Sequence, residues 1–355
     1  MTRVVVTGAT TPMGRALLDA LIDDPTVDRV LATYPTREGL PRHTSPRVTW
    51  CEVDVTRPRM LHDLLFGPAC DIGIDSVVHL ARHRCAADVG SRVRALNVEA
   101  LREMLRLSAR HPTIRRFVLG SAAGVYRVRA DAPSILDEDD ALDLSPDAPQ
   151  WLRDRVEADL LACTWIGRER PRVIVLRLAE CVVPDSGSQL HDQLRSRVCL
   201  RPLGFDPMLN LITMDDAVHA IQLALRFPGS GAFNIVGSDS LPLSEVLART
   251  DRRTFAIPGP LLGPLYRLRS KVLGTDFRYD LNRWRYHFSG VMDGRRAREH
   301  LGYEPRSTIP WLQCHPNCSR SERGSGRVWR SSITSPTSCS ACWSSVSNAV
   351  ATPPP

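Results

Sequence analysis

The sequence predicts an α/β fold: a parallel, doubly wound sheet with helices on both faces and a smaller C-terminal lobe. Three observations predict it. Short β-branched runs alternate with amphipathic helical patterns at the spacing of βαβ units. The runs are apolar almost throughout, as strands covered on both faces must be. The first run leads through a glycine-containing turn directly into a helix.

In chain order, strands are expected at 3–6, 29–33, 48–53, 76–80, 116–121, 173–178 and 232–236. The first is followed by Thr7-Gly8-Ala9-Thr10-Thr11-Pro12-Met13-Gly14 and a helix over 14–23. A second helix is expected over 91–109, with Val93, Leu96, Leu101, Met104, Leu105 and Ser108 as its inward stripe. After Leu178 the pattern loosens into loops, short helices and stretches such as Pro258-Gly-Pro-Leu-Leu-Gly-Pro264. The expected organisation is a first domain over 1–180, to which 205–237 returns, and a lobe made mainly of 181–312.

Residues 313–355 differ in kind. They hold eleven serines, four cysteines and two tryptophans without helical or strand period, and end Thr352-Pro-Pro-Pro355. Such a stretch cannot bury enough apolar surface to offset ordering. It reads as a disordered or frame-shifted tail. Its spacing Cys314-x3-Cys318…Cys339-x2-Cys342 is not framed by strands or turns, so no metal site is expected there. The other six cysteines are dispersed and read as small buried hydrophobes.

The formal net charge of +7 does not point to nucleic acid. Four arginines against one glutamate put +3 of it in the tail, and elsewhere the arginines are scattered without interleaved aromatics. Lys271 is the chain's one lysine. No apolar run approaches a membrane span, and no basic leader precedes the first strand, so the expected compartment is the cytoplasm. Residues 261–273, where leucines alternate with Arg267, Arg269 and Lys271, read as a helix of the smaller lobe rather than a membrane-surface helix.

The opening turn marks a dinucleotide site. Gly8 permits the tight turn and Gly14 lets the helix pack closely, while the helix N-terminus offers free N–H groups and a favourable dipole to a pyrophosphate. Thr11 takes the place of a middle glycine. Its Cβ narrows the backbone's approach, and its hydroxyl is itself a donor.

With that turn, a set of motifs falls in order: Val53-Asp-Val55, Val77-Val-His-Leu-Ala81, Asn97-Val98, Gly120-Ser-Ala-Ala-Gly-Val-Tyr126 and Leu176-Arg-Leu178. Leu211-Ile-Thr-Met-Asp-Asp216, Phe233-Asn-Ile235, Val291-Met-Asp293 and Leu301-Gly-Tyr-Glu-Pro305 follow. Over about 3–312 the chain resembles the extended short-chain dehydrogenase/reductases, the Rossmann-like NAD-dependent epimerase/dehydratase family that includes UDP-glucose 4-epimerase. The resemblance implies a cofactor, NAD ahead of NADP, held by Gly8, Thr10, Thr11, Pro12, Met13 and Gly14. It implies that Asp54 accepts from the adenine amino group beside Val55, that Leu80 and Ala81 line the path to the nicotinamide, and that Asn97 braces the fourth strand. Asp215 or Asp216 reads as a helix cap. Ala32-Thr-Tyr-Pro-Thr-Arg37 lacks the acidic residue that takes the ribose hydroxyls, which keeps NADP open. A small-molecule ligand and a homodimer are family-level expectations.

The family's chemistry needs a tyrosine acid/base, a lysine four residues on, and a serine or threonine facing the substrate. This chain departs at each. Ala122 takes the serine/threonine position, with Ser121 adjacent. The tyrosine–lysine pair falls on Trp151-Leu-Arg-Asp-Arg155, ahead of a helix expected at 157–165. Trp151 has no ionisable hydroxyl. Arg155 can hold ribose hydroxyls but is no general acid or base near neutrality. Tyr126 and Glu180 remain as candidates, and His79 reads as a packed residue. In Arg177-Leu-Ala-Glu-Cys-Val-Val-Pro184, Glu180 stands where relatives carry an asparagine that touches a sugar nucleotide's phosphate, and a carboxylate there repels a diphosphate. Two readings follow: an atypical oxidoreductase or epimerase-like enzyme with a degenerate catalytic site, or a non-catalytic dinucleotide- or metabolite-binding protein.

Overall fold

The seven runs read as strands come together in one sheet. They are β1 (Thr2–Thr7), β2 (Val27–Tyr34), β3 (Val48–Glu52), β4 (Ser76–His79), β5 (Arg116–Ala122), β6 (Arg172–Leu178) and β7 (Gly231–Ile235). The sheet has the order β7-β6-β5-β4-β1-β2-β3, and all six neighbouring pairs are parallel. The computed structural model describes residues 1–35, 45–184, 186–273 and 277–311. The reading of the tail and the question posed by Arg37 lie outside the described residues.

The main helices are α1 (Pro12–Asp23), α2 (Pro58–Phe66), α3 (Ala100–Arg110), α4 (Gln150–Cys163), α5 (Met214–Arg226) and α6 (Gly259–Leu273). Alternation along β1 shows why the sheet is wound on both sides. Val4 and Val6 join Leu17, Leu18 and Leu21 of α1 and Ile221 of α5 in one core. Val5 points the other way, into a core with Leu61 and Leu65 of α2 and Leu101 and Met104 of α3. Both faces of the inner strands are covered, whereas the edge strand β3 stays partly exposed. Strand order reverses between β1 and β4, and the carboxyl ends of strands at such a point frame a ligand crevice.

Three local differences from the sequence reading matter. The helix expected over 91–109 is built as Ser91–Arg94, a wider π-helical turn Ala95–Glu99 that carries Asn97, and then α3. The helix expected at 157–165 starts at Gln150 behind Pro149, so Trp151 and Arg155 lie in its first two turns rather than ahead of it. Of 205–237, β7 joins the main sheet and α5 packs on it, but Met208–Ile212 pairs with Glu180–Cys181 and Asp239–Pro242 in a separate three-stranded sheet.

The smaller lobe has its own core, including Leu194, Cys199, Leu247, Leu262, Tyr266 and Phe277, beside a parallel pair of strands, Val198–Pro202 and Arg253–Ile257. It belongs with the main sheet to one unit over residues 1–316. On α6, Leu262 and Tyr266 are buried while Leu261, Leu265, Leu268 and Val272 are exposed. Among the described residues no helix is long and apolar enough to cross a membrane.

Candidate functional site

The β1–α1 turn is built tightly enough to require both of its glycines. Gly8 has φ +72°, and a Cβ there would sit 2.7 Å from the backbone nitrogen of Ala81. A Cβ on Gly14 would lie 2.2 Å from the Gly8 carbonyl oxygen. Thr11 is the N-cap of α1: its Oγ1 accepts from the Gly14 N–H at 3.0 Å and donates to the Gly8 carbonyl at 2.7 Å. The expectation of a free hydroxyl for phosphate is thereby corrected, because both of its bonds hold the turn itself. Pro12 has no N–H to offer, and among the described residues the Met13 N–H takes no partner. One donor at the mouth of α1 is therefore open to an anion, with Thr10 and Pro12 on either side of the cap.

The remaining positions named for the cofactor are mostly committed to their own loops. Asp54 accepts from the Thr56 N–H at 3.0 Å and the Thr56 hydroxyl at 2.6 Å. Burial raises its pKa, but these bonds outweigh it, and the carboxyl titrates below its usual value. Val55 is buried beside it. Asn97 Oδ1 accepts from the His83 N–H at 2.8 Å and so braces the loop after β4. Leu80 lies against Gly120, where a Cβ would come within 2.7 Å of Leu80 Cδ2. His79 is a packed residue: its Nδ1 bonds the Thr7 hydroxyl at 2.8 Å, and burial pulls its pKa down to about 4.

Thr11, Met13 and Leu80 open onto a cleft whose far wall carries the positions expected to do chemistry: Ala122, Arg155 and Glu180. Trp151 is 8% exposed, and the Arg155 guanidinium stacks over its ring at 3.4 Å from the centroid. Arg155 Nη2 and Trp151 Nε1 are buried donors without an acceptor. Ala122 lines the cleft without a polar group, and the adjacent Ser121 is spoken for, donating to Asp159 Oδ2 at 2.5 Å. Glu180 accepts from the Ser188 hydroxyl at 2.6 Å.

Residues that sequence reasoning did not single out stand at or beside this wall. Arg82 lines the cleft from the loop after β4, as Arg84 does. Arg285, outside the lining, comes from the smaller lobe to the neighbourhood of Arg155 beside Gly124, its Nη2 donating to the Ala123 carbonyl. Burial lowers the pKa of Arg82, Arg155 and Arg285 alike; for Arg155 the neighbouring Arg82 adds to the effect. Arg82 follows directly on the Val77–Ala81 motif and was within reach of the sequence. Arg285 had no such signal, because only the fold brings it to β5.

Tyr126 is corrected from acid/base candidate to core residue. It is 1% exposed, donates to Asn234 Oδ1 at 2.6 Å and accepts from Arg177 Nη1 at 2.9 Å. Burial pushes its phenol up to about 12. The cap of α5 is Thr213, which accepts from the Asp216 N–H, whereas Asp216 accepts from the Arg306 and Ser307 N–H groups of the following chain. Among the described residues no three His, Cys, Asp or Glu side chains gather as metal ligands would.

Comparison with known proteins agrees with this fold. The model of the NAD dependent epimerase/dehydratase family matches residues 4–201. Uncharacterized proteins of Mycobacterium tuberculosis and Mycobacterium bovis are 29% identical over 315 residues, covering 86% of this chain and 80% of theirs. Among solved structures, MoeE5 in complex with UDP-glucuronic acid and NAD superposes with a TM-score of 0.64 at 22% identity, covering 90% of this chain and 99% of that one. The UDP-glucose 4-epimerase of Thermotoga maritima with UDP-glucose gives 0.64 at 16% identity, with coverage of 86% and 94%.

Proposed function

The chain belongs to the NAD dependent epimerase/dehydratase family, and from that premise we propose that it binds NAD(H) in the β1–α1 cleft and acts as a binding protein, without the family's proton relay. The observation that carries this reading is the stack of Arg155 on Trp151, the two residues to which the resemblance assigns the relay's lysine and tyrosine positions.

The turn suits a pyrophosphate. Gly8 and Gly14 hold the backbone where any side chain would collide, and among the described residues the Met13 N–H at the positive end of α1 has no partner. When bound, the nicotinamide supplies a hydride acceptor or donor. The chain's own residues supply little to accompany it. The tryptophan has no proton to exchange, and a guanidinium holds its proton far above neutral pH. Ser121 is turned to Asp159, and Tyr126 is sealed in the core. The atypical-enzyme reading rests on Glu180 alone, the carboxylate lining the cleft.

Thermal unfolding of the full chain with NAD, NADH, NADP or NADPH tests the first half, because a ligand that binds only the folded state must raise the midpoint. The expected result is a rise with NAD or NADH, and no rise with any of the four rejects it. Incubation with NAD and UDP-glucose, read for epimerised sugar and for NADH absorbance, tests the second half. No turnover is expected. Turnover that Glu180→Gln abolishes would establish the enzyme reading in its place.

A further inference from the structure

The wall of the cleft holds more positive charge than its surroundings neutralise. Arg82, Arg155 and Arg285 meet there near Glu180, which contributes electrostatically to all three, while Asp143 also acts on Arg285 and Arg84 lines the cleft beside them. Formally the three guanidiniums face two carboxylates, +3 against −2. None of the three makes an ion pair among the described residues, and Arg82 and Arg155 make no hydrogen bond. Arg155 Nη2 is buried and orphaned, and Trp151 Nε1, one turn earlier on the same helix, is orphaned too. The position a Cβ on Gly124 would take lies 4.0 Å from Arg155 Nη1 and 3.9 Å from Arg285 Nη2, and glycine leaves that point without a side chain.

Like charges brought together out of water repel, and buried donors without acceptors are uncommon in native proteins. A wall that sets three half-buried guanidiniums together, one of them with an orphaned buried nitrogen, is built for more counter-charge than Glu180 supplies. Guanidinium forks match the two oxygens of a carboxylate or the edge of a phosphate. We propose that Arg82, Arg155 and Arg285 form an oxyanion-binding subsite at the carboxyl ends of β5 and β6, so that the ligand of this cleft carries a carboxylate or phosphate group there. The positions of a proton relay are thereby turned to anion recognition. The inference deepens the binding-protein reading and rests on it for the ligand, but the subsite stands on the arginines alone. It also assigns Arg155 to an anion rather than to ribose hydroxyls.

Malonate, orthophosphate and chloride, titrated calorimetrically into the full chain at matched ionic strength with and without saturating NAD, test this. Malonate or phosphate is expected to saturate one site per chain, chloride is not, and NAD leaves that affinity in place; the tighter of the two identifies the group. Arg285→Gln should weaken binding at least about tenfold, the loss of one charge-assisted contact. Glu180→Gln, which removes the competing carboxylate, should strengthen it by about tenfold, a gain that a misfolded variant cannot mimic. No saturable binding beyond chloride overturns the proposal, as does an affinity unmoved by both variants. Binding abolished by NAD overturns it too, because the arginines then serve the cofactor's own pyrophosphate. If malonate binds while NAD does not, the subsite stands and the proposed cofactor falls.

Discussion

Arg155 and Asp159 lie one turn apart on α4, and the two neighbourhoods they face settle buried charge in opposite ways. Around Asp159 every charge is answered. Arg177 donates Nη2 to Asp159 Oδ1 at 2.7 Å and Nη1 to the Tyr126 hydroxyl and the Glu138 carbonyl, both at 2.9 Å. Glu138 Oε1 accepts from the Asn234 N–H, and Asn234 accepts from Tyr126. Burial works against the Arg177 charge, yet Asp159 outweighs it and raises the pKa above the usual arginine value. Around Arg155 the same side chain has an aromatic face, two neighbouring guanidiniums and an orphaned nitrogen. A satisfied network locks strands together, whereas an unsatisfied one is kept for something that arrives.

The largest expected effect tests that division directly. Asp159→Asn leaves the Arg177 guanidinium, whose side chain is 4% exposed, without its counter-charge. Breaking a buried pair in this way should cost about 3–5 kcal/mol in urea unfolding. Arg155→Met removes a charge that has no partner and fills similar volume, so its cost should stay within about 1 kcal/mol. Equal losses at the two positions would erase the distinction between them.

The same contrast explains what was legible in the sequence. The inner sheet strands could be read because strands buried on both faces are continuous apolar runs, and Val4, Val5 and Val6 are each fully buried. The half-exposed edge strand β3 was read instead from its β-branched run. The start of α4 could not. Its buried residues are Trp151, Leu152, Asp154, Val156, Asp159 and Ala162, a mixture of carboxylates and hydrophobes with no apolar stripe. Its polar burial is repaid by partners far along the chain, Arg177 among them, and periodicity carries no trace of those. Tyr126 misled for a related reason. Its position beside β5 suggested the cleft, but Asn234, 108 residues on, draws the hydroxyl inward. The arginine wall was half legible: Arg155 stood at a motif position, and Arg285 did not.

Between the network and the wall stands a third way to bury a titratable group, which is to keep it neutral. His79 is held at about 4 against an ordinary 6.5, by burial. Between those two pH values the unfolded chain takes up a proton that the folded chain refuses, so this contribution to stability is complete above 6.5 and is lost as pH falls toward 4. Over that window it amounts to about 3 kcal/mol, at 1.36 kcal/mol per unit. Urea midpoints of the native chain and of His79→Gln, measured from pH 7 to pH 4, should diverge by that slope. Parallel curves would show that the histidine is protonated where it lies.

The smallest effect belongs to arginines that are neither answered in the dark nor left waiting. All but one of the 46 basic residues are arginine, so the residue type cannot by itself mark a site. Arg249 pairs with Glu245 at 2.8 Å across one helical turn, with the two side chains 40% and 45% exposed. Water solvates both ends whether or not they meet, and salt screens what remains. Arg249→Ala should therefore shift stability by no more than about 0.5 kcal/mol, and less at high salt. It should also leave malonate binding unchanged, because its charge lies outside the cleft. A large loss at Arg249 would mean that exposed arginines in this chain are structural too. Burial would then no longer separate the arginines that hold the fold from those that hold a ligand.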